Sequence, residues 1–149
     1  MPAEEQRIIA KLASSDRWAV IDELVSQLVT TRQIEPAHRP AIQEAINKRE
    51  NSRSTGIGSG IAIPHARTAL VSKLAWVFGR AKDGIPFAAY DNLPVKFVFL
   101  FLVPESEYQK NLETLAGIAK FFHGDQVLRD LAVAMDAKAI LNVIRGGLR

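Results

Sequence analysis

Apolar positions recur at helical spacing near both ends of the chain and run continuously in its middle. Residues 3–12 predict a first short helix. Ser15 and Asp16 then offer an N-cap for a second, in which Ile21, Leu24, Val25, Leu28 and Val29 share one face. Pro36 and Pro40 open a third, whose apolar stripe is Ile42, Ala45 and Ile46. From Asn51 the pattern breaks into NSRSTGIGSG, a run of turn formers and glycine, followed by the strand-like Ile61-Ala62-Ile63. Pro64 stops that segment and His65 follows directly. Leu74 to Arg80 and Val95 to Val103 are rich in valine, phenylalanine and tryptophan and read as strands. The unbroken apolar run Phe97 to Val103 is that of a central strand covered on both faces. Asp83-Gly84 and Asp91-Asn92 between them are turn signals. Beyond Pro104, Ser106 can cap a helix carrying Leu112, Leu115, Ala116 and Ala119, and Asp125 and Asp136 can open two shorter ones.

Strands in the middle with helices before and after predict an α/β fold, with helices on both faces of one sheet. Short links between some strands make that sheet mixed. The 149 residues show no internal repeat or linker and suit a single domain over 1–149.

Composition narrows the function. The sequence has no cysteine, which excludes disulfides, thiolate metal sites and a cysteine nucleophile. The longest apolar run is too short to span a bilayer, and the charged start MPAEEQ has no apolar segment behind it, so a cytoplasmic protein without membrane insertion is expected. Net charge is +3, but residues 48–82 hold seven basic residues (Lys48, Arg49, Arg53, Arg67, Lys73, Arg80, Lys82) against the single acid Glu50. That stretch attracts anions. A pI of about 9.4 raises nucleic-acid binding, yet no motif for it is present and few aromatics interleave the basic residues, so none is expected.

The chemistry concentrates in Arg49 to His65, RENSRSTGIGSGIAIPH. Its glycines permit tight turns that bring amide groups near a bound anion. A histidine held at a strand end by Pro64, beside such amides and an arginine, suits phosphoryl acceptance on a neutral ring nitrogen, with the other nitrogen needing a hydrogen bond to fix the tautomer. Arg49 can contact phosphoryl oxygens through a charge-assisted, bidentate pair. The same pattern also fits an ordinary tight turn with a structural histidine. Other motifs fail: the glycines miss the dinucleotide fingerprint, no Lys-Ser/Thr pair completes a P-loop, and Ser59 is not in a nucleophile elbow. His38, His65 and His123 lack metal-ligand spacing, and neither metal nor cofactor is expected.

Arg49-Glu50, Ser54-Thr55-Gly56-Ile57-Gly58 and Gly60-Ile61-Ala62-Ile63-Pro64-His65 closely resemble the signature of the type-2 EIIA domains of the bacterial phosphoenolpyruvate-dependent phosphotransferase system. The likeness extends to Ile85-Pro86-Phe87, Asp91 to Val95 and Phe101 to Pro104, and within the family it is strongest to the stand-alone nitrogen-regulatory members. The resemblance implies a three-layer α/β/α sandwich with a mixed, mainly five-stranded sheet. It implies that His65 receives phosphate from a histidine phosphocarrier protein and passes it to an EIIB domain or, in regulatory members, signals to target proteins by its phosphorylation state. It places Arg49 beside the phosphoryl group and Ser54, Thr55, Gly56, Gly58 and Gly60 in the loop that binds it.

One position departs from the family. Its second histidine stands in a helix segment reading H-L-x-x-L, and here that segment is Asn111-Leu112-Glu113-Thr114-Leu115. Asparagine offers a neutral donor to a phosphoryl oxygen but cannot become a cation. The alternative reading is therefore a non-catalytic regulatory binding module that has lost efficient phosphotransfer.

Overall fold

A computed structural model describes residues 3–106 and 108–147. The elements run β1 (Ile8–Ile9), α1 (Arg17–Thr30), α2 (Arg39–Ser52), β2 (Gly56–Gly58), β3 (Ile61–Ala62), β4 (His65–Thr68), β5 (Ala75–Ile85), β6 (Val95–Pro104), α3 (Tyr108–Phe122), α4 (Asp125–Val133) and α5 (Ala137–Arg145). The sheet is mixed, six-stranded and open, in the order β1-β5-β6-β3-β2, with β4 also paired to β6. β3 and β4 lie end to end along β6: Ile61 pairs with Phe97 and His65 with Phe101, all in parallel. Six strands therefore occupy five places across the sheet, as the mainly five-stranded expectation required.

β6 accounts for the layers. Its alternation sends Val98, Leu100 and Leu102 to one face, where they meet Val20, Ile21, Leu24, Val25 and Leu28 of α1 and Ile42 and Ile46 of α2. Phe97, Phe99, Phe101 and Val103 point the other way, against Ile118 and Phe122 of α3, Leu131 of α4, and Ile140, Leu141 and Ile144 of α5. The continuous apolar run of the sequence is thus two alternating faces, both covered.

The capping expectations at Asp16 and Asp136 hold: their side chains accept the N–H groups of Ala19 and Ala139. Pro40 sits in the first turn of α2, and Asp125 opens α4 with Gly124 as the capping residue. The expected Ser106 cap depends on residue 107, outside the described residues.

Three expectations are corrected. Residues 3–12 form no α-helix. A 3-10 turn over Glu5–Arg7 leads into β1, which pairs in parallel with the edge of β5, and the N–H of Leu12 continues that edge to the carbonyl of Arg80. An open strand edge satisfies the backbone and buries Ile8, which a short isolated helix cannot do. Asp83-Gly84 is not a turn between strands: it lies within β5 as an irregularity between Arg80 and Ile85, Gly84 supplying φ +80°. Nor is residues 51–60 one loop. α2 continues through Ser52, and β2 pairs with β3 across a two-residue turn in which Ser59 (φ +57°) and Gly60 (φ +81°) are both left-handed.

Candidate functional site

Among the described residues β4 hydrogen-bonds to β6 on one side only, and α2 packs against it. This leaves His65, the first residue of β4, at the junction of two clefts. One, of about 840 Å³, is lined by Lys48, Arg49, His65, Arg67, Glu105 and Asn111 among others. The second, of about 620 Å³, is lined by Arg49, Arg53, Ser54, Thr55, Gly56 and His65. Arg49, His65, Leu112 and Leu115 belong to both, so the last turn of α2 and one face of α3 form opposite walls around the imidazole.

The ring is held from two directions. Its Nδ1 lies 2.7 Å from the carbonyl oxygen of Ile63, and its face stacks on Phe101 with centroids 5.0 Å apart and planes inclined by 11°. A carbonyl only accepts, so Nδ1 carries the proton in the neutral ring and Nε2 keeps its lone pair. Burial pushes the His65 pKa below the usual imidazole value; the Ile63 carbonyl works in the other direction, and the Arg49 charge adds to the lowering. The site thus favours a neutral imidazole with a fixed tautomer, the form that attacks an electrophilic phosphorus.

Arg49, in the last turn of α2, donates from Nη1 to the carbonyl of Arg53 at 2.7 Å. The rest of its five-donor fork makes no other hydrogen bond among the described residues.

Ser54, Thr55 and Gly56 line the second cleft, whereas Gly58 and Gly60 line neither cleft. Three backbone donors of this segment have partners inside the protein. Thr55 N–H goes to Glu50, Gly56 N–H to the Ser54 hydroxyl at 3.1 Å, and Ser59 N–H to Asp91 at 2.9 Å. Gly56 is required for a different reason: a Cβ there would lie 2.7 Å from the Ala89 Cβ.

Asn111 lines the first cleft with His65 but is 7% exposed. Its side-chain nitrogen donates to the carbonyl of Pro104, at the end of β6, and to that of Ser106 at 3.2 Å. It ties the start of α3 to the strand beside His65. His123 follows the end of α3 and lines neither cleft.

Sequence reasoning passed over several parts of this site: Phe101 as the stacking partner, the Ile63 carbonyl, the two leucines of α3, and Glu50, buried at 1% exposure. Only Glu50 left a usable signal, as the one acid within the basic stretch. No described helix is long and apolar enough to cross a membrane.

Comparison with known proteins matches the chain to one family. The family model described as "Phosphoenolpyruvate-dependent sugar phosphotransferase system, EIIA 2" matches residues 1–146. The chain is 37% identical over 133 residues to the fructose-specific EIIABC component of Bacillus subtilis, covering 89% of this chain but 21% of that protein. It is 34% identical over 123 residues to the nitrogen regulatory protein of Escherichia coli, covering 82% of this chain and 74% of that one. Among solved structures, nitrogen regulatory protein IIA-Ntr of Neisseria meningitidis superposes with a TM-score of 0.85 at 26% identity, covering 94% of each chain. An Escherichia coli complex of enzyme IIAMtl with phosphorylated IIBMtl shares the fold, with a TM-score of 0.77 at 20% identity, covering 95% of each chain. The chain therefore belongs to the type-2 EIIA family of the phosphoenolpyruvate-dependent sugar phosphotransferase system.

Proposed function

We propose that this chain is a phosphocarrier whose His65 accepts a phosphoryl group on Nε2 from a histidine phosphocarrier protein. The observation that carries the reading is the 2.7 Å contact between His65 Nδ1 and the Ile63 carbonyl, which leaves Nε2 as the nucleophile beside the cationic Arg49. In the transfer, the bond from Nε2 to phosphorus forms as the donor's N–P bond breaks, and the proton stays on Nδ1, hydrogen-bonded to the Ile63 carbonyl. Phosphoryl transfer asks the protein mainly for positioning and for stabilisation of charge on the phosphoryl oxygens. Arg49 supplies the charge, and Ser54, Thr55 and Gly56 form the adjoining wall, with Gly58 and Gly60 shaping the hairpin behind it. The group then passes to an EIIB domain, or the phosphorylated chain signals to regulatory targets. Kinship with nitrogen regulatory proteins supports the second route; an EIIA domain solved with its EIIB partner supports the first. The domain acts in the cytoplasm.

The test is incubation with phosphoenolpyruvate, the general phosphotransferase enzyme and the carrier protein, followed by intact mass under alkaline conditions. The expected result is one phosphoryl group, absent in His65→Ala. Label retained in that variant and mapped to His38 or His123 overturns the assignment.

The setting of Asn111 favours a second reading, a non-catalytic regulatory module. Its nitrogen is engaged by two backbone carbonyls, so the cleft has neither a second imidazole nor a donor from this side chain. A chain that binds the carrier but acquires no label selects that reading.

A further inference from the structure

Glu50 is a charged residue with no solvent to hold it: its side chain is 0% exposed. Burying a carboxylate is costly unless hydrogen bonds and charge compensate. Here one oxygen accepts the N–H of Thr55 at 3.0 Å and the other accepts the Thr55 hydroxyl, while Arg17 Nη1 stands 3.5 Å away. The same Arg17 nitrogen reaches the carbonyl of Phe87 at 3.2 Å, which also takes the Ser54 hydroxyl.

These bonds lead to His65. The carbonyl of Thr55 accepts the N–H of Ile63 at 3.0 Å, and the carbonyl of Ile63 fixes the His65 tautomer. Ile63 lies between β3 and β4, where the following Pro64 has no N–H to donate. The link to Thr55 therefore anchors the Ile63 backbone at its N–H, immediately before the carbonyl that meets His65, and the Glu50 carboxylate holds Thr55 by its own N–H and hydroxyl. Glu50 also follows Arg49 directly in α2, about 100° further round the helix. Seating Glu50 inward fixes the rotation of that last turn and turns Arg49 to the clefts.

We infer that Glu50 is a positioning residue that registers both His65 and Arg49 for phosphoryl transfer, acting on His65 through Thr55 and Ile63. An apolar side chain of similar size would fill the space but would orient neither backbone segment. The inference rests on the reading of His65 as phosphoryl acceptor, and its first readout does not depend on phosphorylation.

The experiment records the ring ¹⁵N resonances of His65 in the full chain, together with melting temperature and the rate of phosphoryl acceptance from the phosphorylated carrier. Wild type should show a protonated Nδ1 and a bare Nε2. Glu50→Met removes both acceptors at similar volume and should give mixed tautomers, with acceptance slowed about 10- to 100-fold, the scale known for outer partners of metal-ligating histidines. Glu50→Gln can accept from the Thr55 N–H and donate to its hydroxyl oxygen, and should restore the tautomer and most of the rate. If Glu50→Met does not fold, Thr55→Val carries the test, with a smaller change in the same direction. Wild-type ¹⁵N resonances in the folded variant, whatever its melting temperature, overturn the inference and reduce Glu50 to a structural residue. A wild-type chain that takes no phosphoryl group overturns the phosphocarrier reading instead and leaves the tautomer measurement standing.

Discussion

The imidazole of His65 lies flat on the ring of Phe101, its partner across the parallel β4–β6 pairing, with centroids 5.0 Å apart. The contact removes one face of the nucleophile from water and contributes to the burial that lowers its pKa. Titration should therefore show a His65 midpoint below the usual 6.5. The unfolded chain binds this proton first as pH falls, so His65 favours the folded state fully above 6.5 and loses that contribution as pH drops from 6.5 toward the folded value. Phosphoryl acceptance should hold at neutral pH and decline only below 6.5. An acid limb centred above 6.5, or an NMR titration with a raised midpoint, contradicts this assignment.

Arg49 should act on rate rather than on folding. Losing a charge-assisted bond that forms at the transition state costs about 1.5–3 kcal/mol, or roughly ten- to a hundredfold in transfer rate. Arg49→Ala should melt close to wild type, since the bond it gives up at Arg53 is solvent-exposed. It should also raise the His65 midpoint, because the Arg49 charge is one cause of the lowering. Unchanged quench-flow kinetics in the folded variant would assign Arg49 a structural part.

Asn111→Ala leaves the Pro104 carbonyl without its side-chain donor at a buried junction. A loss of about 1–3 kcal/mol in denaturant unfolding is expected. Asn111→His tests the family's usual residue. From sequence alone it should speed acceptance or sharpen its pH dependence. In the folded protein one imidazole nitrogen must also replace an amide group that reaches both Pro104 and Ser106, so a stability loss should accompany any gain in rate. Equal rates, pH profiles and melting curves for both proteins would remove Asn111 from the mechanism.

Gly56→Ala should be among the most damaging small changes in the loop. The new methyl meets the Cα and Cβ of Ala89 at 2.8 and 2.7 Å, and neither belongs to a flexible side chain. Overpacking of this kind costs about 1–3 kcal/mol. Because Gly56 follows Thr55, the displacement should also disturb the Thr55–Ile63 bond. Calorimetry together with the His65 spectrum would register both effects, and a wild-type melting curve would refute the clash.

The pattern of the chain determined much by itself. Helical spacing of Ile21, Leu24, Val25 and Leu28 and the run Phe97 to Val103 were enough for helices on both faces of a sheet, because burial on one stripe or on two faces leaves a direct mark on residue choice. Pro64-His65 and Arg49 stood out because proline, histidine and arginine carry local chemistry that composition exposes. Tertiary structure alone decided what depends on partners distant in sequence. Residues 8 and 9 became a strand because the edge of β5 was available to them. The tautomer of His65 follows from the carbonyl of Ile63, a residue whose N–H is bound to Thr55, and the side-chain amide of Asn111 turned to two backbone carbonyls. A hydrogen bond is directional and short, so which donor meets which acceptor is fixed only when the packed core brings separate segments within about 3 Å of one another.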